Sequence, residues 1–253
     1  MTFIDFHTHL DCYENKKELS DWLKTFNGRI VSASMDLDSY FENIKISERA
    51  KKISPKLKII PTLGIHPKNA EKESPDFSKY KPYLSDSPLI GEIGLDFCWH
   101  KDVPLLFQEK AFRFFLGHCE ESKKYCVIHT KDAEEKTARI LEDYPNARPI
   151  IHWYDGPKDI YQEFIKRKYL ETFGCQTIRS GHIQELLKIT PKELILAETD
   201  NPDSEIWLGG SEKSPHLIKR IYSDIAEILN ISTEETAGII NKNANKILTV
   251  QHF

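Results

Sequence analysis

Apolar and polar positions along this chain change period repeatedly. Short apolar runs rich in β-branched residues lie near Phe3–Phe6, Arg29–Ala33, Leu57–Leu63, Leu89–Ile93, Tyr125–Ile128, Pro149–Ile151, Tyr169–Phe173 and Glu193–Ala197. Between them, apolar residues recur every three or four positions, as over Glu14–Phe26, Ser39–Ile53, Phe107–Ser122, Asp132–Leu141, Ile160–Arg167 and Ile183–Ile189. The runs suit strands buried on both faces, and the stretches between them suit helices with one apolar face. Strand and helix in alternation predict βα units and a parallel sheet. Eight such strands predict a single TIM-type (β/α)8 barrel of class α/β, one domain over residues 1–253.

The tail breaks the alternation. His216–Leu229 carries Leu217, Ile218, Ile221, Ile225, Ile228 and Leu229 on one helical face. A second helix follows from Thr233 through Ile239, Ile240 and Ala244 to Leu248, with Ser232 or Thr233 as its cap. These are expected as extra C-terminal helices packed outside the barrel.

Composition narrows the class without changing this picture. Hydrophobic residues make up 40% and charged residues 29%, as in a soluble globular domain. A net charge of −4 argues against a broad basic surface gripping duplex DNA. No apolar stretch approaches a membrane span and no signal peptide is visible, so the expected location is cytoplasmic. Five cysteines, without a C-x-x-C pair, read as free thiols. Cys12 and Cys98 fall near the candidate ligands, a role that histidines and carboxylates already fill.

The candidate chemistry clusters at strand ends. In Asp5-Phe6-His7-Thr8-His9, side chains two apart share a face, so His7 and His9 aim two imidazoles into one space. His66, Glu92, His129, His152 and Asp200 each follow or sit in a later apolar run. In a parallel barrel, all strand carboxyl ends meet at one face, where active sites lie. The expected metal ligands are therefore His7, His9, Glu92 and Asp200 on one divalent ion, and Glu92, His129 and His152 on a second, with Glu92 bridging. Two such ions suit in-line phosphoryl displacement. Asp200 is the candidate acceptor of the attacking water's proton, beside Glu92 and His66 as catalytic candidates. His66 is read as a phosphate contact or a ligand to a third ion, and Lys68 as a cation beside it.

Plainer readings hold elsewhere. His100, His118, His182, His216 and His252 are expected to be structural or solvated. Asp96 is expected to cap a loop or support a ligand histidine. Phe97, Trp99, Trp153, Tyr154 and Trp207 would pack loops or stack bases. Lys131, Arg179, Lys213 and Lys219 are candidate phosphate contacts.

Taken together, Asp5-Phe6-His7-Thr8-His9-Leu10, Gly64-Ile65-His66-Pro67, Gly91-Glu92-Ile93-Gly94-Leu95-Asp96, Ile128-His129, His152 with Gly156, and Glu198-Thr199-Asp200-Asn201-Pro202 resemble the TatD family of metal-dependent deoxyribonucleases. The resemblance spans residues 2 to about 248. It implies a TIM barrel, two or three divalent ions (Mg, Mn or Zn), and phosphodiester hydrolysis on DNA, often from a single-stranded or 3′ end. The chain departs from the family pattern around the substrate. Lys68 replaces a second histidine and Lys131 an arginine. His152-Trp153-Tyr154-Asp155-Gly156 replaces His-Cys-Phe-x-Gly, and Gly209–Pro215 lacks the Arg-Asn-Glu-Pro run. Substrate contacts are expected at His66, Lys68, Lys131 and Trp153. Two other functions compete. One is a small-molecule amide or ester hydrolase using the same ions. The other is a nucleic-acid-end-binding component of a larger complex, such as an antiphage assembly. No protein partner is visible in the sequence.

Overall fold

The computed structural model describes residues 1–74 and 76–248; His252 lies outside them. The described residues hold eight strands: β1 (Phe3–Thr8), β2 (Gly28–Ser32), β3 (Leu57–Pro61), β4 (Ile90–Asp96), β5 (Tyr125–Lys131), β6 (Arg148–Ile151), β7 (Leu170–Phe173) and β8 (Ile195–Ala197). The longer helices are α1 (Lys16–Thr25), α2 (Leu37–Ile53), α3 (Leu105–Ser122), α4 (Glu134–Glu142), α5 (Lys158–Lys166), α6 (Gly181–Ile189), α7 (Ile218–Leu229) and α8 (Thr233–Leu248). Every apolar run read from the sequence holds a strand, with ends shifted by a few residues. β4 and β5 run three residues past their apolar runs, and β8 starts late because Pro191 begins a 3-10 turn over Lys192–Leu194. Short helices at Ala70–Glu73 and Lys81–Leu84 had no periodic signal, being one turn each.

By internal contacts the chain forms two compact units. The first comprises Met1–Ser32, Glu42–Ile60 and Thr172–Phe253. Its β1 pairs with β2 in parallel, Ile4 opposite Arg29 and Asp5 opposite Ile30. The end of β1 also meets the chain just after β8: Asp200 N donates to His7 O (2.9 Å) and His9 N to Asn201 O (2.9 Å). The C-terminal helices brace both strands. α7 buries Ile218, Ile221, Tyr222 and Ile225 on one stripe. Tyr222 Oη accepts from Ile4 N (3.0 Å) and donates to Ile4 O (3.1 Å). From α8, Asn243 Nδ2 donates to Lys192 O (2.7 Å) and Ile195 O (2.9 Å) beside β8. Ser232 caps α8, its hydroxyl accepting from Glu235 N (3.0 Å).

The second unit comprises Ala33–Phe41 and Pro61–Glu171. Leu63 bridges in parallel to Ile90 of β4. β4 pairs with β5, β5 with β6, and β6 with the start of β7, all parallel. All seven residues of β4 are buried, polar Glu92 and Asp96 included. That is the continuous burial expected of a central parallel strand. No helix among the described residues is long and apolar enough to cross a membrane.

Candidate metal centre

In the first unit, β1 delivers His7 and His9, and the turn after β8 delivers Asp200. His7 Nε2 and His9 Nε2 are 3.2 Å apart, and each lies 3.4 Å from Asp200 Oδ1. Ligand atoms held about 2.0–2.1 Å from a tetrahedral metal lie about 3.3–3.4 Å from one another. The three atoms therefore have the spacing of one coordination sphere. Asp200 adopts φ +50°, left-handed backbone that aspartate tolerates better than most residues. Such outliers concentrate at functional sites.

Asp5 holds this arrangement from behind. Its carboxylate accepts from His7 N (3.3 Å), Thr199 N (2.9 Å) and Thr199 Oγ1 (2.6 Å), tying the end of β1 to that of β8. Burial raises its pKa to about 7 against the opposing Thr199 hydrogen bonds. No role for Asp5 is read from the sequence. The available signal was its spacing, since it continues the period of two through His7 and His9. Cys12 lies with His9 and Asp11 in a further group of possible ligand atoms.

In the second unit, Glu92 from β4, His129 from β5 and His152 after β6 converge, all at least 97% buried. Glu92 Oε1 is 2.8 Å from both His129 Nδ1 and His152 Nε2, and these nitrogens are 3.3 Å apart. Asp96, last in β4, decides what His129 can do. Asp96 Oδ2 lies 3.0 Å from His129 Nε2, and Oδ1 accepts from the backbone N–H groups of Cys98 (2.9 Å), Trp99 (2.7 Å) and His100 (3.2 Å). Burial alone would raise this carboxyl. The His129 imidazole and the backbone donors outweigh it and hold Asp96 well below the usual carboxylate range. An ionised Asp96 needs a donor, so the neutral His129 carries its proton on Nε2 and turns its Nδ1 lone pair toward Glu92. A lone pair and a carboxylate oxygen at 2.8 Å call for a proton or cation between them. Asp96 thus caps the loop and orients His129, a candidate ligand.

His66 joins the same unit, with Nε2 3.6 Å from Glu92 Oε1 and its ring centroid 4.6 Å from that of His129. Its Nδ1 accepts from Lys68 N (3.1 Å), which leaves Nε2 as the hydrogen-bearing nitrogen. The Lys68 side chain is exposed. His100, read as structural, stands edge-on to His66 at 5.3 Å. Lys131 is buried, its ammonium donating to Trp153 O (2.5 Å) and Asp155 Oδ1 (2.8 Å). Trp153 has φ +43°, unusual for so large a residue, directly after His152. The half-exposed Trp99 lies 6.2 Å, ring to ring, from His129.

The family model for TatD-related DNases matches residues 4–249. An uncharacterized metal-dependent hydrolase of Mycoplasma genitalium is 30% identical, covering 98% of this chain and 99% of its own length. The human deoxyribonuclease TATDN3 is 26% identical, covering 96% of this chain and 93% of its own. The crystal structure of a TatD-family hydrolase from Entamoeba histolytica superposes with a TM-score of 0.81 at 17% identity, covering 98% of each chain. The fold is the TIM-type α/β barrel that the strand–helix alternation predicts.

Proposed function

Because the chain belongs to the TatD-related DNase family of metal-dependent hydrolases, we propose that it hydrolyses phosphodiester bonds of DNA at single-stranded or 3′ ends. The observation that carries this reading is the pair of ligand sets: His7, His9 and Asp200 in one, Glu92, His129 and His152 in the other. Each would hold a divalent ion. Bound there, such ions supply an activated water and offset charge on the phosphoryl and leaving oxygens.

The chain's own residues do the rest. Asp200 accepts the proton of the attacking water. His66 donates from Nε2 to a non-bridging phosphate oxygen, the role its Nδ1 contact with Lys68 N leaves to it, and this reading is preferred over a third-ion ligand. Asp5 and Asp96 orient the ligand histidines. Lys131, Lys68 and Trp153 contact the nucleic-acid chain beyond the scissile bond.

The test pairs metal content with cleavage. Protein purified with Mg²⁺ or Mn²⁺ degrades end-labelled single-stranded DNA. Asp200→Asn lowers kcat by at least about a hundredfold, the scale of losing a general base, with an unchanged circular dichroism spectrum. Cleavage of amide or ester substrates in preference to bis-p-nitrophenyl phosphate and DNA overturns the reading. So does full nuclease activity in the variant.

A further inference from the structure

Lys131 and Asp155 form an uneven ion pair. The lysine side chain is 4% exposed and the aspartate 46%. Two of the ammonium's three donors are directed at Trp153 O and Asp155. Its flanks are aromatic: Nζ lies 5.3 Å from the Trp99 ring centroid and 5.8 Å from that of Trp153. The cation is thus desolvated and fixed, while its anion stands at the solvent side. A cavity of about 740 Å³ opens over the pair, lined by Trp99, Lys131, Glu134 and Asp155 among others.

The backbone carrying Asp155 is pinned. Tyr154 Oη donates to Pro157 O (2.6 Å). Glu134 Cγ lies 2.5 Å from where a Cβ on Gly156 would sit, so the segment lies close against α4. Asp155 is the solvent-exposed member of the pair, so its side chain can turn away from Lys131 without moving the loop. A buried ammonium needs an anionic partner, and a phosphate oxygen satisfies it as a carboxylate does.

We propose that Asp155 is a built-in stand-in for substrate phosphate: its carboxylate occupies Lys131 until a phosphodiester of a single-stranded nucleic acid displaces it, with a base stacking on Trp99. This rests on the phosphodiesterase reading above and names a specificity device within it. A tethered competitor penalises every ligand that reaches Lys131. A polynucleotide offsets that penalty through its other phosphates and stacked bases, whereas a released mononucleotide has few. Asp155 therefore favours long substrates and speeds product departure.

The test is a double-mutant cycle on metal-loaded protein, read by fluorescence anisotropy of a phosphorothioate single-stranded oligonucleotide that resists hydrolysis. Asp155→Asn binds it roughly three- to fivefold more tightly, the scale of one half-exposed ion pair. The slope of log K against log salt steepens by up to about 0.7, one phosphate's worth. On cleavable DNA the same variant lowers KM with little change in kcat, and it is inhibited more strongly by nucleoside monophosphate. Asp155→Glu restores wild-type values. In a Lys131→Met background, with Lys131→Gln in its place should that variant not fold, Asp155→Asn brings no gain. Unchanged or weaker binding by Asp155→Asn overturns the proposal. So does a gain that persists without Lys131, or wild-type protein that binds no oligonucleotide. Absence of cleavage with the cycle intact counts instead against the nuclease reading.

Discussion

Asp96 shows how one side chain sets the chemistry of another. Its contact with His129 Nε2 leaves Nδ1 as the nitrogen facing Glu92. In Asp96→Asn, the amide oxygen still serves the backbone donors of Cys98 and Trp99, but an NH₂ group then meets His129 Nε2. The imidazole must take the other tautomer, which places a proton on the nitrogen that faces Glu92. Metal affinity in calorimetric titration is expected to fall about 10- to 100-fold while the fold is retained. Wild-type affinity in the variant would show that Asp96 serves the loop alone. From the sequence, Asp96 carried two possible roles. The structure joins them, because one carboxylate has enough lone pairs for both.

At the scale of elements, the second ligand set depends on the close approach of β4 and β5. Gly94 lies opposite His129 in the register, with φ +149°. A Cβ there would come within 1.9 Å of His129 O. Any side chain must push the strands apart at His129. Gly94→Ala is expected to destabilise the protein by about 2–4 kcal/mol and to weaken metal binding disproportionately. Urea denaturation with and without added metal measures both. A stability loss with full metal affinity would show that His129 is held by Asp96 rather than by the strand. The strands themselves were legible from apolar runs. The glycine's reason was not, since it lies on the neighbouring strand, thirty-five positions away in sequence.

For the molecule as a whole, buried acids shape the dependence of stability on pH. Glu171 is fully buried in β7, and neither carboxylate oxygen has a hydrogen-bond partner among the described residues. Burial raises its pKa well above the ordinary carboxyl value. The folded state thus holds this proton more tightly than the unfolded chain. The resulting stabilisation is complete below about pH 4.3, the unfolded pKa, and is lost as pH rises toward the folded value. Across that window the loss is about 1.4 kcal/mol per pH unit. Glu171→Gln removes the titration. Its unfolding free energy, from urea melts between about pH 5 and pH 8, is expected to gain on wild type as pH increases. Parallel profiles for the two proteins would exclude Glu171 as the source.

The amino-acid sequence alone determined the alternation of strands and helices, the barrel class, the C-terminal helix pair and which side chains are candidate ligands. These are local properties: a period of two or of 3.6 is written in neighbouring residues, and a histidine at the end of an apolar run shows its place without its partner. Tertiary structure alone decided which nitrogen of His129 faces Glu92, that Asp5 ties His7 to Thr199, and that Asp155 pairs with Lys131. Each depends on a distance of about 3 Å between groups brought together by folding, and no local period encodes it.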